Sequence, residues 1–270
     1  MRLLPPPRTA AALVAAGFRR WATYRQAALA GAFTNTVFGV VKVSVLLGVA
    51  AAAGGSVAGY DPLELSTYTW LSQGLIGVVH VFAWTEVADR VRSGDIAIDL
   101  ARPLDLQVAW LLQDLGRAAY ATGVRFLLPL AVGALFFGLR VPQSPWTLPL
   151  FLLSMVLAVV VSFGCRLLVN LCAFWLLDVR GLVTFYVLTS TFLMGMYLPV
   201  PLFPDWLRVV AYATPFPAIV QAPVDVATER LAGLDALGLV ASQVGWAVVV
   251  LVLGRIVLAR ATHRLVVQGG

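Results

Sequence analysis

Long apolar runs separated by short polar stretches organise this chain. A bilayer core of roughly 30 Å takes about 20 apolar residues per helix. Six stretches reach that length, at 29–53, 66–87, 118–138, 148–177, 181–201 and 236–258. The fourth is long enough to tilt or protrude. Between the fourth and fifth lies Leu177-Asp178-Val179-Arg180-Gly181, a tight turn whose glycine suits a helix C-terminus. The pattern predicts an all-α integral membrane protein, a single transmembrane domain over 1–270 with six transmembrane helices.

Three segments outside the runs carry their own pattern. Over residues 8–26, Leu13, Val14, Gly17, Phe18, Trp21 and Tyr24 share one helical face, with Arg19, Arg20, Thr23 and Gln26 off it. This predicts an interfacial helix lying on the inner leaflet, Phe18 and Trp21 at headgroup depth and Arg19 and Arg20 meeting anionic lipid. The alternative is a helix packed on the protein's own edge. That every charge there is Arg favours the membrane.

The second segment is the loop at 89–116, the most charged part of the chain, with Asp89, Asp95, Asp99, Asp105 and Asp114. Asp95, Asp99 and Arg102 share a helical face, whereas Ile96, Ile98 and Leu100 alternate as in a strand, so its local form is open. Pro103 ends whichever element precedes it. A plain connector has no use for an apolar residue at every second position; the mixture suits a docking surface. The third segment, 199–232, carries Pro199, Pro201, Pro204, Pro215 and Pro217 yet stays apolar. Apolar non-helical backbone near a membrane has to be buried in protein or seated in the interface, which predicts an extracellular re-entrant segment.

Charge sets the orientation. With both termini cytoplasmic, thirteen arginines fall on the inner side: Arg2, Arg8, Arg19, Arg20, Arg25, Arg90, Arg92, Arg102, Arg117, Arg180, Arg255, Arg260 and Arg264. Only Arg140, Arg208 and Arg230 fall outside, the asymmetry expected of inner loops.

Composition narrows the function. The chain has 270 residues, 60% hydrophobic and 12% charged, about half the charge of a soluble domain. Its net charge of +6 fits arginines at membrane faces, and no nucleic-acid partner is expected. Lys42 is the sole lysine and Val43 follows it, so a P-loop, which needs Gly-Lys then Ser or Thr, cannot form. Cys165 and Cys172 would stand about 10 Å apart on a helix, beyond disulfide reach. With two histidines and no cysteine pair at ligand spacing, no metal site is expected. The N-terminus, Met1-Arg2-Leu3-Leu4 before three prolines, shows no cleavable signal.

Within the runs, Lys42, Arg125, Arg166 and Asn170 are the candidates for lining a pathway; the competing reading is snorkelling or interhelical bonding. If Arg125 and Arg166 face the pathway, the cargo is an anionic amphipath. No acid is expected near a bilayer centre, and no nucleophile with a base is visible, so no catalytic residue is assigned.

At Arg92-Ser93-Gly94-Asp95-Ile96, Leu100-Ala101-Arg102-Pro103-Leu104-Asp105, and Leu202-Phe203-Pro204-Asp205-Trp206-Leu207 before Thr214-Pro215-Phe216-Pro217, the chain resembles the permease subunits of type-2 ABC exporters. The likeness is to a bacterial branch without assigned substrate, and the order of elements extends it over nearly the whole chain. It implies half of a translocation pathway, completed by a second six-helix permease, the same or a homologous chain, in the bacterial plasma (inner) membrane. The cargo would be lipid-like, drug-like or otherwise amphipathic. A cytoplasmic P-loop ATPase dimer would hold ATP and Mg, with no cofactor bound by this chain. The coupling element would use Arg92, Gly94, Asp95, Ile96, Ile98, Asp99, Arg102 and Pro103, the charges pairing with the ATPase and the isoleucines acting as apolar knobs. The competing functions are a non-transporting membrane scaffold and, behind it, an integral membrane enzyme.

Overall fold

The computed structural model describes residues 5–82, 84–176 and 178–265, and the secondary structure over them is helical. Helix α1 (Pro7–Ala22) starts on a proline, whose missing N–H costs nothing at that position. An elbow at Thr23 and Tyr24 leads into α2 (Arg25–Ala52), which ends at Gly54 and Gly55, both in the left-handed region. Helix α3 (Pro62–Val79) opens on a capping box: Asp61 accepts from the Glu64 amide and Glu64 from the Asp61 amide. Two short helices follow, α4 (Glu86–Ser93) and α5 (Ile96–Leu100). Helix α6 (Leu106–Ala121) passes through a π-helical turn at Thr122–Phe126 into α7 (Leu127–Phe136). Then come α8 (Thr147–Leu171), α9 (Arg180–Leu193), α10 (Asp205–Tyr212), α11 (Gln221–Ala227) and α12 (Leu234–Leu265).

Among the described residues four helices are long and apolar enough to cross a membrane: Arg25–Ala52, Leu106–Phe136, Thr147–Phe174 and Gly233–Thr262. The expected runs at 66–87 and 181–201 take other forms. Helix α3 starts earlier and stops at Val79, because His80 turns left-handed and the α3 carbonyls are claimed by other helices. Helix α9 has 14 residues, about 21 Å, and stops at a left-handed Gly195 ahead of the prolines. Gly181 lies inside α9 rather than closing a helix, and the preceding helix ends in a 3-10 turn at Cys172–Phe174.

Helix α3 is the centre of the molecule, with every residue from Leu65 to Val79 buried. Its mean hydropathy is modest because Thr67, Thr69 and Ser72 are buried too. Each of these hydroxyls bonds a carbonyl three or four residues back, so burial leaves no orphan donor. The apolar core packs Leu75, Val78, Phe126, Met155, Val161, Ile219 and Val224 around it.

Polar contacts gather at two ends of the bundle. At one, Arg140 pairs with Asp61 and Glu64, and the Glu229 carboxylate accepts from the Gln143 and Ser144 amides and the Thr147 hydroxyl at the start of α8. Those donors hold the exposed Glu229 carboxyl below its ordinary range. At the other, Arg20 pairs with Glu86 and Arg255 with Asp105. The segment at 199–232 is buried in protein from Pro217 to Thr228, a stretch made of the turn at 217–220 and helix α11. Gln221 ties it in: its Oε1 accepts from the Val200 amide at 2.9 Å and lies 2.8 Å from the Tyr68 hydroxyl, and its Nε2 donates to Asp225 at 2.8 Å. Gln243 of α12 donates to the carbonyls of Ser154 and Ala218, fastening the same segment to α8.

Candidate functional site

The charged loop is two helical turns rather than a strand. Helix α4 closes at Gly94, whose φ of 83° suits glycine and lets the chain reverse into α5. The reversal turns Ile96 fully inward and leaves Ile98 60% exposed. Asp99 is also buried, accepting from Arg90 Nε at 2.5 Å and lying 3.4 Å from Arg102. Ile96 and Asp99 therefore cannot serve as partner-facing groups, because their side chains are spent inside the loop. The surface offered outward consists of Arg92, Gly94, Asp95, Ile98, Arg102 and Pro103. Asp95 takes a bond from its neighbour Ser93 at 2.9 Å, and Arg92 lies 3.7 Å from Asp89.

Three anchors hold the loop to the long helices. Asn170 on α8 accepts from the Ala88 amide at 3.1 Å and donates to the Trp84 carbonyl at 2.6 Å and the Arg166 carbonyl at 2.9 Å. Asp105 caps α6 at the Val108 amide and pairs with Arg255 on α12. Arg20 on α1 grips both oxygens of Glu86. The loop ends at Asp105, not at 116, since α6 is already helical from Leu106.

Asp114 consequently sits inside a membrane-length helix, towards its Leu106 end rather than at its middle. It bridges two buried arginines, Arg117 Nε at 2.6 Å and Arg166 at 2.7 Å. Arg117 also donates to the carbonyls of Gly77 and Val78 at 2.8 and 2.7 Å, occupying the unpaired acceptors at the C-terminus of α3. Ser162 donates to the next one, Val79, at 2.6 Å, and His80 Nδ1 lies 3.4 Å from Arg166. One cluster thus holds α3, α6 and α8 together. A polar groove of about 120 Å³ runs from it past Trp84 to Arg90 and Arg102 in the loop.

Of the four pathway candidates, three are bonded within the chain. Arg166 is committed to Asp114, and Asn170 has its amide satisfied on every side used above. Lys42 is pinned as well, donating to Ser72 Oγ at 3.0 Å and to the Met196 carbonyl at 2.6 Å, where α9 has ended. Arg125, on the π turn, makes no hydrogen bond or ion pair among the described residues and lines a cavity of about 370 Å³. Helix α1 packs on α6: Gly17 and Gly116 come so close that a Cβ on either would overlap backbone of the other helix. Phe18 meets Tyr120 edge-on, Trp21 meets His80, Arg20 holds Glu86, and Arg19 is exposed. This helix packs against α6 through Gly17 and leaves Phe18, Arg19 and Arg20 exposed. Arg2 lies outside the described residues.

The Asp114–Arg166–Arg117 cluster was not anticipated. Its one local signal is the i,i+3 spacing of Asp114 and Arg117; Arg166 joins from 52 residues away. Cys165 and Cys172 are both free.

A family model described as ABC-2 family transporter protein matches residues 40–269. No curated protein and no solved structure matches.

Proposed function

Because this chain belongs to the ABC-2 family of transporter proteins, we propose that it forms half of the translocation pathway of an ATP-driven exporter. It is a permease, the transmembrane component of an ABC transporter, and a multi-pass membrane protein. In this reading a separate cytoplasmic ATPase dimer binds ATP and Mg, a second permease completes the pathway, and the cargo is an amphipathic solute leaving across a bacterial inner membrane.

The observation that carries the coupling is the anchoring of the α4–α5 loop. Its outward face is free, while its inner face is fastened to α1, α8 and α12 by Glu86, Asn170 and Asp105. A push received at Ile98 and Asp95 passes to long helices through short polar contacts rather than through slack chain. Six crossings are supported by the two polar ends: Arg140 and Glu229 mark one, Glu86 and Asp105 the other. Helix α3 and the combination of α9 with the buried re-entrant segment supply the two crossings beyond the four long helices. An even number returns α12 to the end where α1 lies, the side that holds most arginines.

The test is charge reversal on the outward face, Asp95→Arg, alongside Ile98→Asp, both of which leave the pairs of Asp99 with Arg90 and Arg102 in place. Both variants are expected to lower recovery of the co-purifying P-loop ATPase and its rate in nanodiscs by at least fivefold. Unchanged recovery and unchanged rate in both would remove the coupling role.

A further inference from the structure

We propose that the cavity between the α1–α2 elbow, α3 and the π turn binds the anionic headgroup of a membrane lipid, with Arg125 as its counter-charge. Arg125 Nε is buried and has no partner, and the side chain forms no ion pair among the described residues. Arg125 as a whole is half-buried, whereas Arg117 and Arg166, which are fully buried, share Asp114. A guanidinium without an acceptor away from water is costly, so its place calls for a compensating group.

Three independent features build that place. The π turn at Thr122–Phe126 widens the helix by one residue and aims Arg125 between α2 and α3; such turns gather at functional sites. Gly77 on α3 clears its path, since a Cβ there would stand 2.8 Å from Arg125 Cβ. Gly31 on α2 clears its head, since a Cβ there would stand 2.7 Å from the guanidinium. Two helices thus omit side chains where one arginine passes.

The cavity of about 370 Å³ is also lined by Trp21, Tyr24, His80, Arg117 and Tyr120, and by no carboxylate. Its volume takes a headgroup, not a whole lipid. The chains have a place outside it: Phe38, two turns beyond Gly31 on the same face of α2, and Leu128, one turn beyond Arg125, are exposed. Gly77 and Gly31, which flank Arg125, lie within one turn of the end of α3 and within two turns of the start of α2. These apolar side chains beside the charged cavity favour a lipid over a free anion. The inference requires the membrane placement of these helices but not the direction of transport.

The test uses the full chain in neutral detergent without nucleotide or ATPase, so its failure is separate from failure of the coupling reading. Short-chain phosphatidylglycerol is titrated against wild type, Arg125→Gln and Tyr24→Glu, the last placing a negative charge at the exposed mouth. Saturable binding is expected, at least tenfold weaker in both variants, with phosphatidylcholine binding at least tenfold weaker than phosphatidylglycerol and inorganic phosphate failing to displace the lipid. Equal affinity for the two lipids, or unchanged affinity in folded Arg125→Gln, overturns the site. Full displacement by inorganic phosphate overturns the lipid assignment. Should Arg125→Gln fail to fold, unchanged affinity in Tyr24→Glu overturns the proposal and a tenfold loss there sustains it.

Discussion

Asp114 on α6 accepts from Arg166 on α8 at 2.7 Å through one oxygen, while its other oxygen takes Arg117 at 2.6 Å. One carboxylate therefore pairs with two guanidiniums from different parts of the chain, and the last carbonyls of α3, which accept from Arg117, offset part of the remaining positive charge.

Removing that charge leaves two buried arginines facing each other. Asp114→Asn is expected to cost about 3–5 kcal/mol, the usual penalty for breaking a buried ion pair from one side. Thermal unfolding of the detergent-purified protein measures it. Adding Arg166→Met removes one of the stranded charges, so the double variant is expected to melt above Asp114→Asn alone. A double variant that melts lower still shows that the cluster is not held together by this charge balance.

Gly195 ends α9 with a φ of 85°, and a Cβ there would lie 2.5 Å from the Tyr68 hydroxyl and 2.9 Å from Gln221 Oε1. Gly195→Ala is expected to destabilise by at least ~1–2 kcal/mol from the left-handed conformation, with displacement of Tyr68 added to it. A melting temperature equal to wild type counts against the turn as drawn.

Gly17 and Gly116 let α1 and α6 touch backbone to backbone. Gly116→Val is expected to lift α1 and loosen its backbone, so that trypsin cuts faster at Arg19, Arg20 and Arg25, which are already exposed, read as faster loss of the N-terminal fragment. Digestion at the wild-type rate would mean that α1 is held by other contacts.

Asp225 is buried and accepts from Gln221 Nε2 at 2.8 Å. Asp225→Ala leaves that donor short of an acceptor and is expected to destabilise by about 1–3 kcal/mol. Asp225→Asn keeps an acceptor for Gln221 and is expected to melt above Asp225→Ala. Equal melting temperatures for the two variants are the contrary result.

The coupling loop shows where reading the sequence succeeds and stops. Its charge density and position are visible in the letters, and so is Gly94 as a reversal. Which isoleucine faces out is not, because Ile96 and Ile98 are equivalent until the chain folds and one of them is covered. Asp99 likewise reads as a free acid until Arg90 and Arg102 close on it. The expected run at 181–201 stops early for a related reason: Met194, Gly195, Met196, Pro199 and Val200 are buried in protein, and burial in protein permits a broken backbone.

By itself the sequence determined the solvent, since runs such as 29–53 and 236–258 have no polar coat and must lie in lipid or protein. It also determined that nucleotide is not bound by a P-loop here, Lys42 being the sole lysine and followed by Val43. Only the tertiary structure decided which cations are spent and which is free. Arg166, Arg117 and Lys42 find acceptors 52, 40 and 154 residues away, while Arg125 finds none among the described residues. Pairing at such separations leaves no local pattern, because the energy of a buried charge depends on what the fold brings within about 3 Å of it.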